Sequence, residues 1–134
     1  MRAEPLHTRR NPMKILVTGG AGFIGSHLVD RLVLDRAGEV VVFDNFSRGR
    51  MDHLAHNSHQ IGIVQGDIRD RAVLLKAMAG VDLVYHLAAQ SNVLGSVCDL
   101  DESFETNVAG TYGVLRAAAE AGARRVIFSS SREV

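Results

Sequence analysis

The chain has 134 residues with 15 basic and 15 acidic side chains, hence no formal net charge; at about 100–200 residues per domain, that is one domain. Hydrophobic residues at 46% and charged residues at 22% exclude a wholly disordered, collagenous or coiled-coil chain, and no apolar run approaches the ~20 residues of a membrane span. A single cysteine, Cys98, builds neither an internal disulfide nor a cysteine zinc site, so a cytoplasmic setting is expected, and the neutral balance argues against nucleic-acid binding.

Residues 1–12 hold both prolines and a basic cluster (Arg2, Arg9, Arg10) but lack the apolar core of a secretory signal; a disordered tail is expected, with order beginning at Met13. Ile15-Leu16-Val17 reads as a short buried strand stopped by Gly19 and Gly20. Ile24, Leu28 and Leu32 recur at spacing four and predict a helix face ending before Gly38. Val40–Phe43 and Ile61–Val64 predict the second and third strands. A helix through Val73, Leu74 and Met78 ends at Gly80, and Leu83–Leu87 is the fourth strand. Phe104, Val108, Thr111, Leu115 and Ala118 step by four and three, predicting a long helix from about Leu100 to Gly122. Val126–Phe128 is a fifth strand.

Strands buried on both faces and separated by helices imply βαβ units and a parallel sheet. Right-handed crossovers make 3-2-1-4-5 the natural strand order. The expected fold class is α/β, a doubly wound parallel sheet. Between Ser47 and His59 the pattern is irregular. A short helix there would put His53, His56 and His59 on one face and make a metal site conceivable; without an acidic or cysteine partner, a solvated surface turn with no metal is the expectation.

The sharpest local pattern is Thr18-Gly19-Gly20-Ala21-Gly22-Phe23-Ile24-Gly25, between the first strand and the first helix. It fits G-x-x-G-x-x-G through Gly19, Gly22 and Gly25, and G-x-G-x-x-G through Gly20, Gly22 and Gly25. In both, one glycine makes a tight turn, one admits a pyrophosphate against backbone, and one lets helix pack on strand. The helix N-terminus then offers N–H groups to the phosphates. Asp44 closes the second strand 19 residues beyond Gly25, near the offset at which an acid meets the adenosine ribose. Its charge would repel a 2′-phosphate, so NAD is favoured over NADP. Arg48 and Arg50 are the features that pull toward NADP.

Met13–Leu28, with Asp44-Asn45-Phe46-Ser47, Gly66-Asp67-Ile68, His86–Gln90, Asn107–Thr111 and Phe128–Ser131, resembles the extended short-chain dehydrogenase/reductases. The similar branch is the NAD-dependent nucleotide-sugar epimerase/dehydratase family, and the resemblance runs from Met13 to the last residue. It implies an NAD-binding Rossmann fold in which Phe23 and Ile24 present backbone N–H groups to the pyrophosphate. Asp44 and Asn45 would hold the ribose, and Asp67 and Ile68 would flank the adenine. Leu87, Ala88 and Ala89 would line the nicotinamide side, and Asn107 would tie the long helix to the loop after the fourth strand. Each has an ordinary structural alternative, as turn former, close-packed alanine or exposed helix position.

Ser131 is the catalytic candidate. The resemblance implies that its hydroxyl meets the sugar oxygen undergoing oxidation, beside a tyrosinate from a Tyr-x-x-x-Lys helix. Tyrosines stand only at 85 and 112 and lysines only at 14 and 76, so that motif is absent from these residues. The expectation is therefore a domain truncated after the fifth strand, spanning 13–134 and lacking its C-terminal substrate part. Ser131-Arg132-Glu133 stands where the family's sugar dehydratases carry Thr-Asp-Glu, which ranks an epimerase above a dehydratase; a reductase of the same family is a further alternative. A non-catalytic NAD-binding module is the other alternative. The expected partners are a nucleotide sugar and, through the long helix, a second copy of the full-length protein.

Overall fold

The computed structural model describes residues 12–131; residues 1–11, with nearly all of the expected tail, and 132–134 lie outside the described part. In chain order the elements are β1 (Lys14–Thr18), α1 (Phe23–Leu34), β2 (Glu39–Asp44), a 3-10 turn (Met51–Leu54), β3 (Gly62–Gln65), α2 (Arg71–Met78), β4 (Leu83–His86), α3 (Val93–Cys98), α4 (Leu100–Phe104), a π-helical turn (Glu105–Gly110), α5 (Thr111–Glu120) and β5 (Arg125–Phe128). All strand pairings are parallel, in the order β3-β2-β1-β4-β5. This is the doubly wound sheet that the alternating pattern implies.

Alternate residues of each strand face opposite layers. Leu16, Val41, Phe43 and Val84 meet α2 and α5 through Leu74, Ala77, Met78, Val114, Ala117 and Ala118. Ile15, Val17, Val40 and Val42 meet Val29 and Leu32 of α1, with Leu54 of the 3-10 turn. Both faces are covered, which is why the strands read as continuous apolar runs. Val40, Val42 and Phe43 are at most 1% exposed, and each such side chain contributes about 1.5–3 kcal/mol.

Two helix faces differ from their periodicity. In α1 the inner face is Gly25, Val29 and Leu32, while Ile24 is 69% exposed. The start of α1 lies so close to the preceding loop that only a glycine fits there. The long helix is broken into α4, the π turn and α5, and its buried residues are Gly110, Val114, Ala117 and Ala118. Phe104, Val108, Tyr112 and Leu115 lie on the outside, 46–62% exposed. Small residues occupy the inner face because the helix sits against Ile68, whose Cδ1 a Cβ on Gly110 would meet at 2.6 Å. β5 is the outer strand of the described sheet and leaves Ile127 and Phe128 exposed. Among the described residues no helix is long and apolar enough to cross a membrane.

Candidate functional site: a nucleotide cleft at the sheet's carboxyl edge

Successive strands are added outward in one direction from β1 to β3 and in the other from β4 to β5, so the strand order reverses between β1 and β4, and open α/β sheets bind ligands outside the carboxyl ends of their strands at such a switch point. Thr18 pairs in register with His86, and His86 with Phe128, so the loops leaving β1, β4 and β5 emerge side by side. Gly19 opens the first loop at φ +70°, and a Cβ there would meet Ala88 N at 2.7 Å. It is therefore Gly19 that makes the tight turn. Gly25 closes the loop with its Cα against Gly19 O, so a Cβ there would collide with backbone.

Gly22 caps α1 without a side chain, no acidic residue lies in the first turn, and no side chain caps it. The N–H groups of Phe23, Ile24 and Gly25 thus lack intrahelical partners at the positive end of the helix. Phe23 and Ile24 are exposed, leaving this end open to solvent. An anion fits here, since the glycines leave room, nothing acidic competes, and unpaired donors converge.

Asp44, at the end of β2, is only 7% exposed. Its Oδ2 accepts from Ala21 N at 2.9 Å and its Oδ1 from Phe46 N at 2.8 Å. A carboxylate offers about four acceptor sites, so each oxygen keeps one for a further donor. The glycine loop and this acid are thus one unit. Arg50 Nη2 pairs with Asp52 at 3.0 Å, and Arg48 is exposed. Asn45 accepts from Ser47 N and Oγ, and its Nδ2 donates to Asp67 Oδ2 at 3.3 Å. Arg69 donates to both oxygens of Asp67, at 2.9 and 2.7 Å, and holds that carboxyl well below the usual range, at about 2. Ile68 turns its side chain into the core at 6% exposure, so only its backbone faces outward.

Leu87 and Ala88 are half-buried against opposite layers, and Ala89 is exposed. Asn107, within the π turn, holds the loop after β4: its Oδ1 accepts from Gln90 N at 2.8 Å and its Nδ2 donates to Gln90 O at 3.1 Å. Ser131 lies exposed three residues past β5.

The sequence reading did not single out His86. It is fully buried, with Nδ1 at 2.7 Å from Thr18 Oγ1 and Nε2 at 2.9 Å from Thr111 Oγ1, and it stacks on Phe128 at 5.6 Å. Thr18 Oγ1 also accepts from Ala88 N at 3.4 Å. Burial pushes the imidazole down to about 4. A polar residue closing an apolar strand was the available signal. Of the three clustered histidines, His53 turns inward to Ala21 O at 2.8 Å, while His56 and His59 are exposed. Among the described residues no group of three His, Cys, Asp or Glu side chains is placed to hold a metal ion.

The doubly wound sheet with its glycine loop and strand-end acid defines a dinucleotide-binding domain. Residues 15–134 match the model of the NAD dependent epimerase/dehydratase family, and the chain belongs to that family. It is 45% identical over 122 residues to a UDP-glucose 4-epimerase of Mycolicibacterium smegmatis, covering 89% of this chain and 39% of that protein. It is 38% identical over 129 residues to UDP-glucuronic acid decarboxylase 4 of Arabidopsis thaliana, covering 95% of this chain and 28% of the relative. A dTDP-glucose 4,6-dehydratase of Streptomyces venezuelae, solved with NAD bound, superposes with a TM-score of 0.81 at 42% identity over 85% of this chain and 38% of that one. The chain therefore spans well under half the length of the proteins it matches.

Proposed function

We propose that the chain is the NAD-binding portion of a nucleotide-sugar epimerase that works by transient oxidation of a sugar hydroxyl. The observation that carries this reading is the uncapped, acid-free start of α1, facing out of a glycine loop tied to Asp44. In this reading the N–H groups of Phe23 and Ile24 bind the diphosphate, and the free acceptor sites of Asp44, with Asn45, take the ribose hydroxyls. Asp67 and the Ile68 backbone border the adenine, and Leu87, Ala88 and Ala89 form a shallow wall on the nicotinamide side. NAD, when bound, supplies the hydride acceptor and donor. Ser131, at the carboxyl edge beyond β5, hydrogen-bonds the sugar oxygen and helps move its proton. The tyrosine–lysine pair expected to act as general base is not among these 134 residues.

An epimerase is preferred to a dehydratase because Arg132 stands where an acid would be needed for water elimination. The exposed stripe of Phe104, Val108, Tyr112 and Leu115 supports pairing with a second copy, and the lone cysteine supports a cytoplasmic setting. Calorimetric titration with NAD and NADP tests the cofactor assignment. NAD binds more tightly, and Asp44→Ala weakens it about tenfold or more, because charge-assisted hydrogen bonds contribute about 1.5–3 kcal/mol each. Equal or tighter NADP binding by the parent chain overturns it.

A further inference from the structure

We propose that His53 is a positioning residue for the diphosphate-binding loop, acting through the carbonyl of Ala21. The inference rests on the cofactor reading above and extends it to a residue outside the glycine motif. Ala21 is the apex of the loop, between Gly20 and Gly22. Its N–H is held by Asp44 Oδ2. Its carbonyl accepts twice, from Arg50 N at 3.1 Å and from His53 Nδ1 at 2.8 Å. A carbonyl oxygen only accepts, so Nδ1 carries the proton.

The Ala21 carbonyl and the Gly22 N–H belong to one planar peptide unit, so fixing the first aims the second. That N–H bonds Gly19 O at 3.2 Å, and Gly22 is the cap from which α1 starts. The direction of the open first-turn donors follows from this peptide plane. A residue that merely formed the 3-10 turn would need only its backbone, which His53 already uses by donating to Arg50 O at 3.1 Å. Its side chain instead reaches back 32 positions in sequence.

The segment bearing His53 is itself anchored. Leu54 is 1% exposed within the layer of Val29 and Val42, and Asn57 Nδ2 donates to Asp30 of α1. The imidazole is thus held between a fixed turn and the loop, and it transmits the position of one to the other.

The test compares His53→Leu, which removes the donor at similar size, with His53→Asn, which returns an N–H at the place of Nδ1. His53→Ala serves where leucine is not accommodated. NAD affinity falls about three- to tenfold in the leucine variant, the worth of one hydrogen bond, and recovers in the asparagine variant. In the ligand-free protein, amide exchange quickens at the hydrogen-bonded amides of Ala21, Gly22 and Ser26 in the leucine variant while β4 and α5 keep their protection. Unchanged exchange at those three amides overturns the proposal, as does NAD affinity equal to the parent's, or an asparagine variant as weak as the leucine one. A parent that fails to bind NAD overturns the cofactor reading alone, and the exchange comparison still decides whether His53 holds the loop.

Discussion

His86 makes the stability of this fold depend on mild acid, and the size of the effect follows from its surroundings. The ring is fully buried between Thr18 and Thr111, and burial lowers its pKa from 6.5 to about 4. In the unfolded chain the same group takes up a proton near its ordinary value. Between those two values the unfolded state binds more protons, so stability is full above about 6.5 and is lost as pH falls toward 4. At 1.36 kcal/mol per pKa unit, the full loss is about 3 kcal/mol, or about three-hundredfold in the folding equilibrium. Asp67 works in a separate window. Its lowered pKa gives stability present above its ordinary value of 3.8 and lost as pH falls through about 2. Denaturant unfolding at a series of pH values from about 7 to 4 reads the first window, and His86→Gln provides the control. The variant is less stable at neutral pH, but its stability is nearly flat across that range. Parallel pH curves for parent and variant would refute the argument.

Three further outcomes follow from the site and the chain. Gly25→Ala drives a methyl into Gly19 O and, at 2.7 Å, into Gly20 Cα; calorimetry should show about 1–3 kcal/mol of lost stability together with lost NAD binding, and a variant that binds like the parent contradicts the close approach. Deleting residues 1–12 should leave the unfolding free energy within about 0.5 kcal/mol, whereas a larger drop means that the segment packs on the fold. Purified 1–134 incubated with NAD and a UDP-hexose should give no interconversion above background, because a missing general base alone costs on the order of 10²–10⁴ in rate; turnover would require a base other than the expected tyrosine.

Strand positions and order were legible because both sheet faces are covered. Val40–Phe43 could hardly read as anything but a strand buried twice, and once five such runs alternate with helices, chirality leaves few arrangements. The glycine loop was legible in outline, but its two possible registers were separated only by the φ of +70° at Gly19. Helix faces were legible for α2, where Leu74 and Met78 are buried as their spacing implies, and only in part for α1 and the long helix, where Leu32 and Ala118 are buried but Ile24, Phe104, Val108 and Leu115 are not. Periodicity finds large apolar residues, yet α5 meets the core through Val114, Ala117 and Ala118, and the π turn before it meets Ile68 through Gly110, because close approach needs small side chains. Ile24 misled for the same reason, with Gly25 taking the inner position. The polar contacts of His86 and His53 span 68 and 32 positions, and no local pattern encodes pairings that distant.

The π turn sets the rotational phase of everything that follows it. Winding Glu105–Gly110 as a π turn adds about one residue to the helix, or about 100° of rotation. On an uninterrupted α-helix, Thr111 would continue the outward stripe of Phe104 and Val108. With the extra residue, Tyr112 takes the outward place at 62% exposure, and Thr111 swings in to reach His86 Nε2. The turn lets one continuous rod show a greasy stripe to the outside at one end and a hydroxyl to the sheet at the other. Removing a single residue from it would force a choice between them: with the stripe in its present place Thr111 leaves His86, and with Thr111 docked the stripe leaves its present outward face.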